Sequence, residues 1–101
     1  MHRYVRVEEI LSQLQVEVAF LEALADEEVI ELKRSAEDEL VISSADVDRL
    51  RVAVLLTREL DVNLAGVEVI VHMRDAMLDM QRQFGEVLDV VIEEVRRRIP
   101  R

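Results

Sequence analysis

The chain has 101 residues, enough for one domain, and its 13 basic and 22 acidic side chains give a formal net charge of −9. The absence of cysteine excludes disulfides, thiolate metal sites and cysteine nucleophiles. Hydrophobic residues make up 50% and charged residues 35%, with two glycines and one proline. This composition is typical of amphipathic helices and argues against a turn-rich β fold and against a disordered chain.

The first predicted elements are two short helices. Apolar residues recur at helical spacing over 5–14 and again over 17–27, which predicts a helix in each range. The residues that carry the two patterns are Val7, Ile10, Leu11, Leu14, Phe20, Leu21 and Leu24. Only Gln15 and Val16 lie between the helices, so a helix-turn-helix is expected.

The next predicted element is a small β-hairpin. The ranges 29–32 and 40–42 are short, apolar and rich in β-branched residues, and the polar range 33–38 between them suits a turn. Two strands alone are only marginally stable, so this hairpin, or wing, is expected to pack against the helices.

A third helix is expected to begin after Ser43 and to end near Asp61. Asp46 lies three residues after Ser43, which approximates a capping box with Asp in place of Glu. The helix is apolar over much of its circumference, as in a core helix. Its expected buried stripe consists of Val47, Leu50, Val54 and Leu60.

The last predicted element is a long helix over 64–99 with Asn63 as its N-cap. Apolar residues spaced alternately by three and four form a heptad seam, which indicates a coiled coil and predicts a homodimer. The seam residues are Ile70, Met73, Met77, Met80, Phe84, Val87 and Val91. Gly85 leaves open whether the helix is whole, bent or broken into a hairpin. The expected division is a head over 1–62 and a dimerisation helix over 63–101.

Three segments, in this order, resemble the MerR-type winged helix-turn-helix architecture. The range 21–31 (LEALADEEVIE) matches the family segment L-R-Y-Y-E-x-x-G-L-I-x, and 43–50 (SSADVDRL) matches S-x-x-D-L-x-R-L. The range 60–67 (LDVNLAGV) matches the stretch that joins the head to the long helix. The resemblance covers about residues 4 to 80. It implies a mainly α fold, with a winged head followed by a long coiled-coil helix.

The chain departs from the DNA-binding members of this architecture at the positions that contact DNA. Glu22 replaces the arginine of the recognition helix, and Ala23 and Leu24 replace two aromatic residues. Glu28 replaces the glycine of the following turn, and 40–42 lacks the arginine and tyrosine of the wing. Each change removes a contact to phosphate or to a base edge. DNA is therefore an unfavourable partner.

One branch of the architecture, the CbpM-like chaperone-modulator proteins, is similar to this chain in these departures. Its members bind and inhibit the J-domain of a DnaJ-like co-chaperone, and J-domains present a basic helix to Hsp70. The resemblance therefore implies that an acidic surface binds a J-domain. The candidate residues are Glu17, Glu22, Asp26, Glu27, Glu28 and Glu31. A solvated acidic face that only maintains solubility is an equally open interpretation.

Two other functions stay open at this point. The first is a MerR-type DNA-binding regulator, which would require Arg3, Arg6, Lys33 and Arg34 to converge on the duplex. The second is a dimeric adaptor whose acidic head binds some other basic protein.

Catalysis, a metal site and a cofactor are not expected. His72 has no second histidine four residues away, and nothing signals a cleft that would raise a carboxyl pKa for acid–base work. The longest apolar run, 52–56, is far too short for a membrane span. The N-terminus lacks the apolar region of a signal peptide, so a cytoplasmic location is expected.

Overall fold

A computed structural model describes residues 3–100 and shows a mainly α, winged helix-turn-helix fold with a long C-terminal helix. This confirms the predicted fold class. The elements, in chain order, are β1 (Tyr4–Arg6), α1 (Val7–Leu14), α2 (Val18–Asp26), β2 (Lys33–Arg34), β3 (Leu40–Ser43), α3 (Ser44–Leu60) and α4 (Leu64–Arg98).

The sheet has three antiparallel strands in the order β1-β3-β2, so β3 is the central strand. Val5 pairs with Ile42, and Lys33 pairs with Val41. The strand β1 was not predicted, and the helix expected from Val5 begins at Val7 instead. Three residues carry too little pattern to signal a strand, and β1 forms because β3 supplies its hydrogen-bonding partners.

The first strand of the wing was predicted too early. The range 29–32 is not a strand, and pairing begins only at Lys33. Val29 and Ile30 are instead 3% and 4% exposed and belong to the hydrophobic core. Their β-branched side chains suggested a strand, but here they anchor the loop that follows α2, because burial of apolar surface is favourable in any backbone conformation.

The helix α3 begins as predicted and buries the first two residues of the predicted stripe, Val47 and Leu50, but not its last residue. The side chain of Ser43 caps it by accepting a hydrogen bond of 3.1 Å from the backbone N–H of Asp46. Its buried apolar residues are Val47, Leu50, Ala53 and Leu56. Val54 is only partly buried, and Leu60 is 63% exposed, so its predicted burial is wrong. Leu60 is the last residue of the helix, next to the left-handed Asp61, and lies beyond the core.

The core joins the head to the beginning of α4. Leu21 and Leu24 of α2, Leu50 of α3, and Val67 and Val71 of α4 are all 0% exposed. Burying each of these side chains contributes roughly 1.5–3 kcal/mol. These contacts hold the recognition-helix position, α2, and the first two turns of α4 in one cluster.

The helix α4 is continuous over 35 residues and therefore about 52 Å long. Asn63 caps it by accepting a 2.8 Å hydrogen bond from the backbone N–H of Gly66. The helix passes through Gly85 without a break, and a Cβ atom at Gly85 would meet nothing within 4 Å. Helices among residues 3–100 do not combine the length and the apolar character that crossing a membrane requires.

Candidate protein-docking surface

The outer face of α2 carries carboxylates beside small and apolar side chains. Glu22 and Asp26 are four residues apart and so lie on the same face of the helix, and both are exposed. Val18, one turn before Glu22, is 43% exposed, and Ala19 beside it is also exposed. The face can therefore offer negative charge and a flat apolar contact at once.

The predicted partner-binding residues are all exposed, and we call this set of six the acidic surface. It consists of Glu17, Glu22, Asp26, Glu27, Glu28 and Glu31. The structure does not bring all of them together, because Glu17, at the start of α2, lines a different cleft from Glu28 and Glu31. No basic residue lies in the range 17–31, so this stretch carries a charge of −6. Among residues 3–100, no ion pair involves any of the six. Their carboxylates are therefore open to a ligand or partner within the described part of the chain.

The four basic residues within 3–44 lie on or beside the sheet and not on α2. Arg6 is on β1, where its Nη2 atom is 2.6 Å from Oε1 of Glu9. Lys33 is on β2, where its Nζ atom donates a 3.2 Å hydrogen bond to the hydroxyl of Tyr4 and lies 5.5 Å from the ring centroid. These contacts occupy the cations at the sheet, away from the helix that reads DNA in a winged helix.

The other two of these four basic residues, Arg34 and Arg3, also lie on or beside the sheet. Arg34 is next to Lys33 on β2 and donates a 2.9 Å hydrogen bond to the carbonyl of Asp38, across the turn of the wing. Arg3 precedes β1 at the other edge of the sheet. Because β1 and β2 flank β3 on opposite sides, the backbone positions of the four cations are divided between two edges, although the side chain of Lys33 reaches Tyr4 on β1.

A network of three charged side chains supports the loop that carries Glu28 and Glu31. The Asp46 side chain accepts a 3.0 Å hydrogen bond from the backbone N–H of Glu31 and a 2.6 Å hydrogen bond from Nη1 of Arg49. Nε of Arg49 also donates a 2.9 Å hydrogen bond to Oδ2 of Asp75 on α4. The network thus joins the loop after α2 to α3 and to the long helix.

The network is partly withdrawn from solvent, which strengthens it. Asp46 is 7% exposed and is the one charged residue that is buried among residues 3–100. Burial alone lowers the pKa of Arg49, but its hydrogen bonds to Asp46 and Asp75 outweigh that effect and raise its pKa above the ordinary value. Arg49 therefore stays a cation that holds both carboxylates.

The turn between α2 and this loop has a strained backbone. Glu28 has a φ of 60°, in the left-handed region that favours glycine, which is the residue type that the resemblance expects at this position. Its carbonyl oxygen lies 3.5 Å from Nε2 of His72 on α4. An open cleft of about 730 Å³, lined by Glu28, Glu31, Lys33, Asp46 and Asp75 among others, separates the turn from the sheet.

Replacing Glu28 by glycine is expected to stabilise the protein by about 0.5–1 kcal/mol, because glycine adopts this φ without strain. Thermal unfolding followed by circular dichroism measures the change. Glu27 is the matched control, because its φ is −88°. Glycine at that position should give no stabilisation, and equal effects at both positions would contradict the explanation by strain.

Comparison with known protein families agrees with the fold. The model of a family described as MerR HTH family regulatory protein matches residues 5–87. The chain belongs to this family. A comparison with curated proteins gave no significant match. The match extends from β1 to about two thirds of the way along α4, so in this MerR-family chain α2 occupies the position of the recognition helix and β2–β3 that of the wing.

Sequence patterns located the acidic surface of this MerR-family protein but not the network behind it. Asp46 was interpreted as part of a capping box, but its carboxylate binds the N–H of Glu31 and Arg49, whereas the backbone N–H of Asp46 binds Ser43. Arg49 and Asp75 are 26 residues apart, and only the packing of α3 on α4 brings them together. No local signal could have indicated that pair.

Proposed function

We propose that this MerR-family protein is a non-catalytic regulator whose acidic surface binds the J-domain of a DnaJ-like co-chaperone and inhibits its work with Hsp70. The observation that carries the proposal is the charge of −6 over 17–31, on and beside the helix that would otherwise face a phosphate backbone. Family membership by itself supports only a regulatory role.

Charge complementarity explains why a basic helix is a suitable partner. Opposite charges raise the association rate and set the orientation of two proteins, whereas like charges exclude DNA. The exposed Val18 and Ala19 let a partner helix approach α2 closely between the carboxylates. Bound there, the protein would cover the basic helix that a J-domain presents to Hsp70.

The test is titration calorimetry of the full-length protein with the isolated J-domain of such a co-chaperone. We expect binding at about 0.1 M salt that weakens strongly at about 1 M, where the Debye length falls from about 10 Å to about 3 Å. Inhibition is read from the Hsp70 ATPase rate stimulated by the co-chaperone. A lack of binding at the lower salt concentration would refute the proposal.

We also propose that the protein acts as a homodimer through the seam on α4. The seam residues, Ile70, Met73, Met77, Met80, Phe84, Val87 and Val91, are 37–69% exposed in the single chain. Contiguous apolar surface of this extent is unusual on a monomer and is typical of an interface. Analytical ultracentrifugation should give twice the chain mass of 11.7 kDa.

A DNA-binding regulator and an adaptor for another basic protein are the alternatives. Family membership supports a regulatory role without deciding the partner, and the placement of the four cations within 3–44 on or beside the sheet, instead of on α2, does not favour DNA binding. An electrophoretic shift with genomic fragments at low salt tests it, and a discrete retarded species would support it against our proposal. Recovery of a basic protein without a J-domain as the specific partner would support the adaptor.

A further inference from the structure

A small cleft lies where the turn between α1 and α2 packs beside α3, and we call it the α2–α3 cleft. It has a volume of about 230 Å³. Its apolar walls are Val16, Phe20 and Val54, and Glu17 and Arg58 also line it. All five residues are exposed or partly buried, so the cleft opens to solvent. Pockets for drug-sized ligands begin at about 300 Å³, so this cleft suits one large side chain.

The polar groups in the wall of the α2–α3 cleft are bonded within the chain. The guanidinium of Arg58 donates a 2.9 Å hydrogen bond to the carbonyl of Leu14 and a second hydrogen bond to the carbonyl of Gln15. The hydroxyl of Thr57, which also lines the cleft, donates a 2.8 Å hydrogen bond to the carbonyl of Ala53. Because these donors are already engaged, the cleft offers a ligand mainly its apolar surface.

Small side chains connect the cleft with the outer face of α2. At about 100° per residue, Ala19 and Ala23 lie between Phe20 and the line of Glu22 and Asp26 on the circumference of the helix. Alanine side chains do not obstruct a helix that lies over α2 and extends toward the cleft. Such a helix can place one side chain in the cleft while its other side chains meet the carboxylates.

The charges around the cleft indicate the kind of side chain that enters it. Glu17 lines the cleft, and Glu22, Asp26 and Glu27 lie farther along the same helix and its C-cap. None of these four carboxylates forms an ion pair among residues 3–100. The positive charge in the lining, Arg58, is held by carbonyl groups at the end of α1. The fitting occupant is therefore an apolar side chain with basic neighbours, as on an amphipathic basic helix.

We propose that the α2–α3 cleft is an anchor pocket for one large apolar side chain on the basic helix of the partner. The carboxylates orient that helix by charge, and the inserted side chain packs against Phe20 and Val54. Binding energy at interfaces is concentrated in a few large side chains that fill pockets. Many basic proteins satisfy the charges of the acidic surface, but only one with an apolar side chain at the right position also fills the cleft. This inference rests on the proposed J-domain interaction and adds a basis for its specificity.

The test measures the affinity of full-length variants for the isolated J-domain by titration calorimetry, after circular dichroism has shown that each variant folds. Thr57→Phe places an aromatic ring in the cleft, so we expect the affinity to fall at least about 10-fold. The fold-change should not depend on salt, because an apolar contact is not screened. Leu55→Phe is the matched control on the same helix, since Leu55 is exposed and lies outside the cleft lining. It should leave the affinity nearly unchanged.

A second variant and a search on the partner complete the test. Val54→Thr keeps the shape of the wall but makes it polar, so the affinity should fall by about 3-fold or more. This variant decides the question if Thr57→Phe does not fold. Alanine replacements along the basic helix of the J-domain then identify the inserted side chain. One replacement should weaken binding to the unsubstituted protein but not to Thr57→Phe, as in a double-mutant cycle.

Unchanged affinity in the cleft variants would overturn the inference and leave the proposed function standing. Equal losses in Thr57→Phe and Leu55→Phe, or the lack of a matching side chain on the J-domain, would also overturn it. If Thr57→Phe altered the mass in analytical ultracentrifugation without altering J-domain affinity, a second copy of the chain would be the occupant instead. Failure of the unsubstituted protein to bind the J-domain would overturn both proposals.

Discussion

Replacing Asp46 by alanine is expected to lower the free energy of unfolding by about 3 kcal/mol, because the change removes the shared acceptor of a partly buried N–H and a partly buried cation. The N–H belongs to Glu31 and the cation to Arg49, which keeps Asp75 as a second acceptor and is partly exposed. For a domain of this size, the melting temperature should fall by about 15 °C. Urea unfolding followed by circular dichroism measures the free energy.

Asp48, which is exposed on the same helix, is the matched control, and its replacement by alanine should change stability by less than about 0.5 kcal/mol. Asp46→Asn should fall between the two, because an amide still accepts the Glu31 hydrogen bond but carries no charge. Equal, small effects at Asp46 and Asp48 would show that the network does not stabilise the fold.

Reversing the charges on the outer face of α2 should remove the proposed interaction. Glu22→Lys together with Asp26→Lys changes the range 17–31 from −6 to −2 and places two cations against a basic partner. We expect J-domain affinity to fall at least about 100-fold, since like charges placed together at an interface cost several kcal/mol. Both residues are exposed and unpaired among residues 3–100, so the fold should be retained.

The control for net charge is Asp89→Lys together with Glu93→Lys on the polar side of α4, which makes the same total change at another place. Calorimetry should show nearly unchanged affinity for this variant. If both double variants bind equally, the acidic surface is not the docking site. The proposal would then require another contact.

The helices were predictable because their apolar residues keep a regular spacing. The N-caps were also predictable, because Ser and Asn are preferred cap residues. The side chains of Ser43 and Asn63 both form the expected hydrogen bonds. The heptad pattern predicted one long helix, and the helix continues through Gly85 without a break.

The wing and the turns were harder to predict because the chain makes them without glycine. Gln15, Glu28, Asp38 and Asp61 all adopt positive φ values between 52° and 62°, so residue type did not mark where the backbone reverses. Lys33 and Arg34 form a strand only because β3 lies beside them. Such pairing is decided by tertiary structure and leaves no local pattern.

The uninterrupted length of α4 gives the molecule a mechanical property. A rigid rod of about 52 Å that pivots near the head moves its far tip by about 1 Å for each degree of tilt. Asp75, which lies close to that pivot, is tied through Arg49 and Asp46 to the backbone of Glu31. A partner that tilts the distal end of α4 would therefore also displace Asp75. Through Arg49 and Asp46, that displacement would shift the loop that carries Glu28 and Glu31.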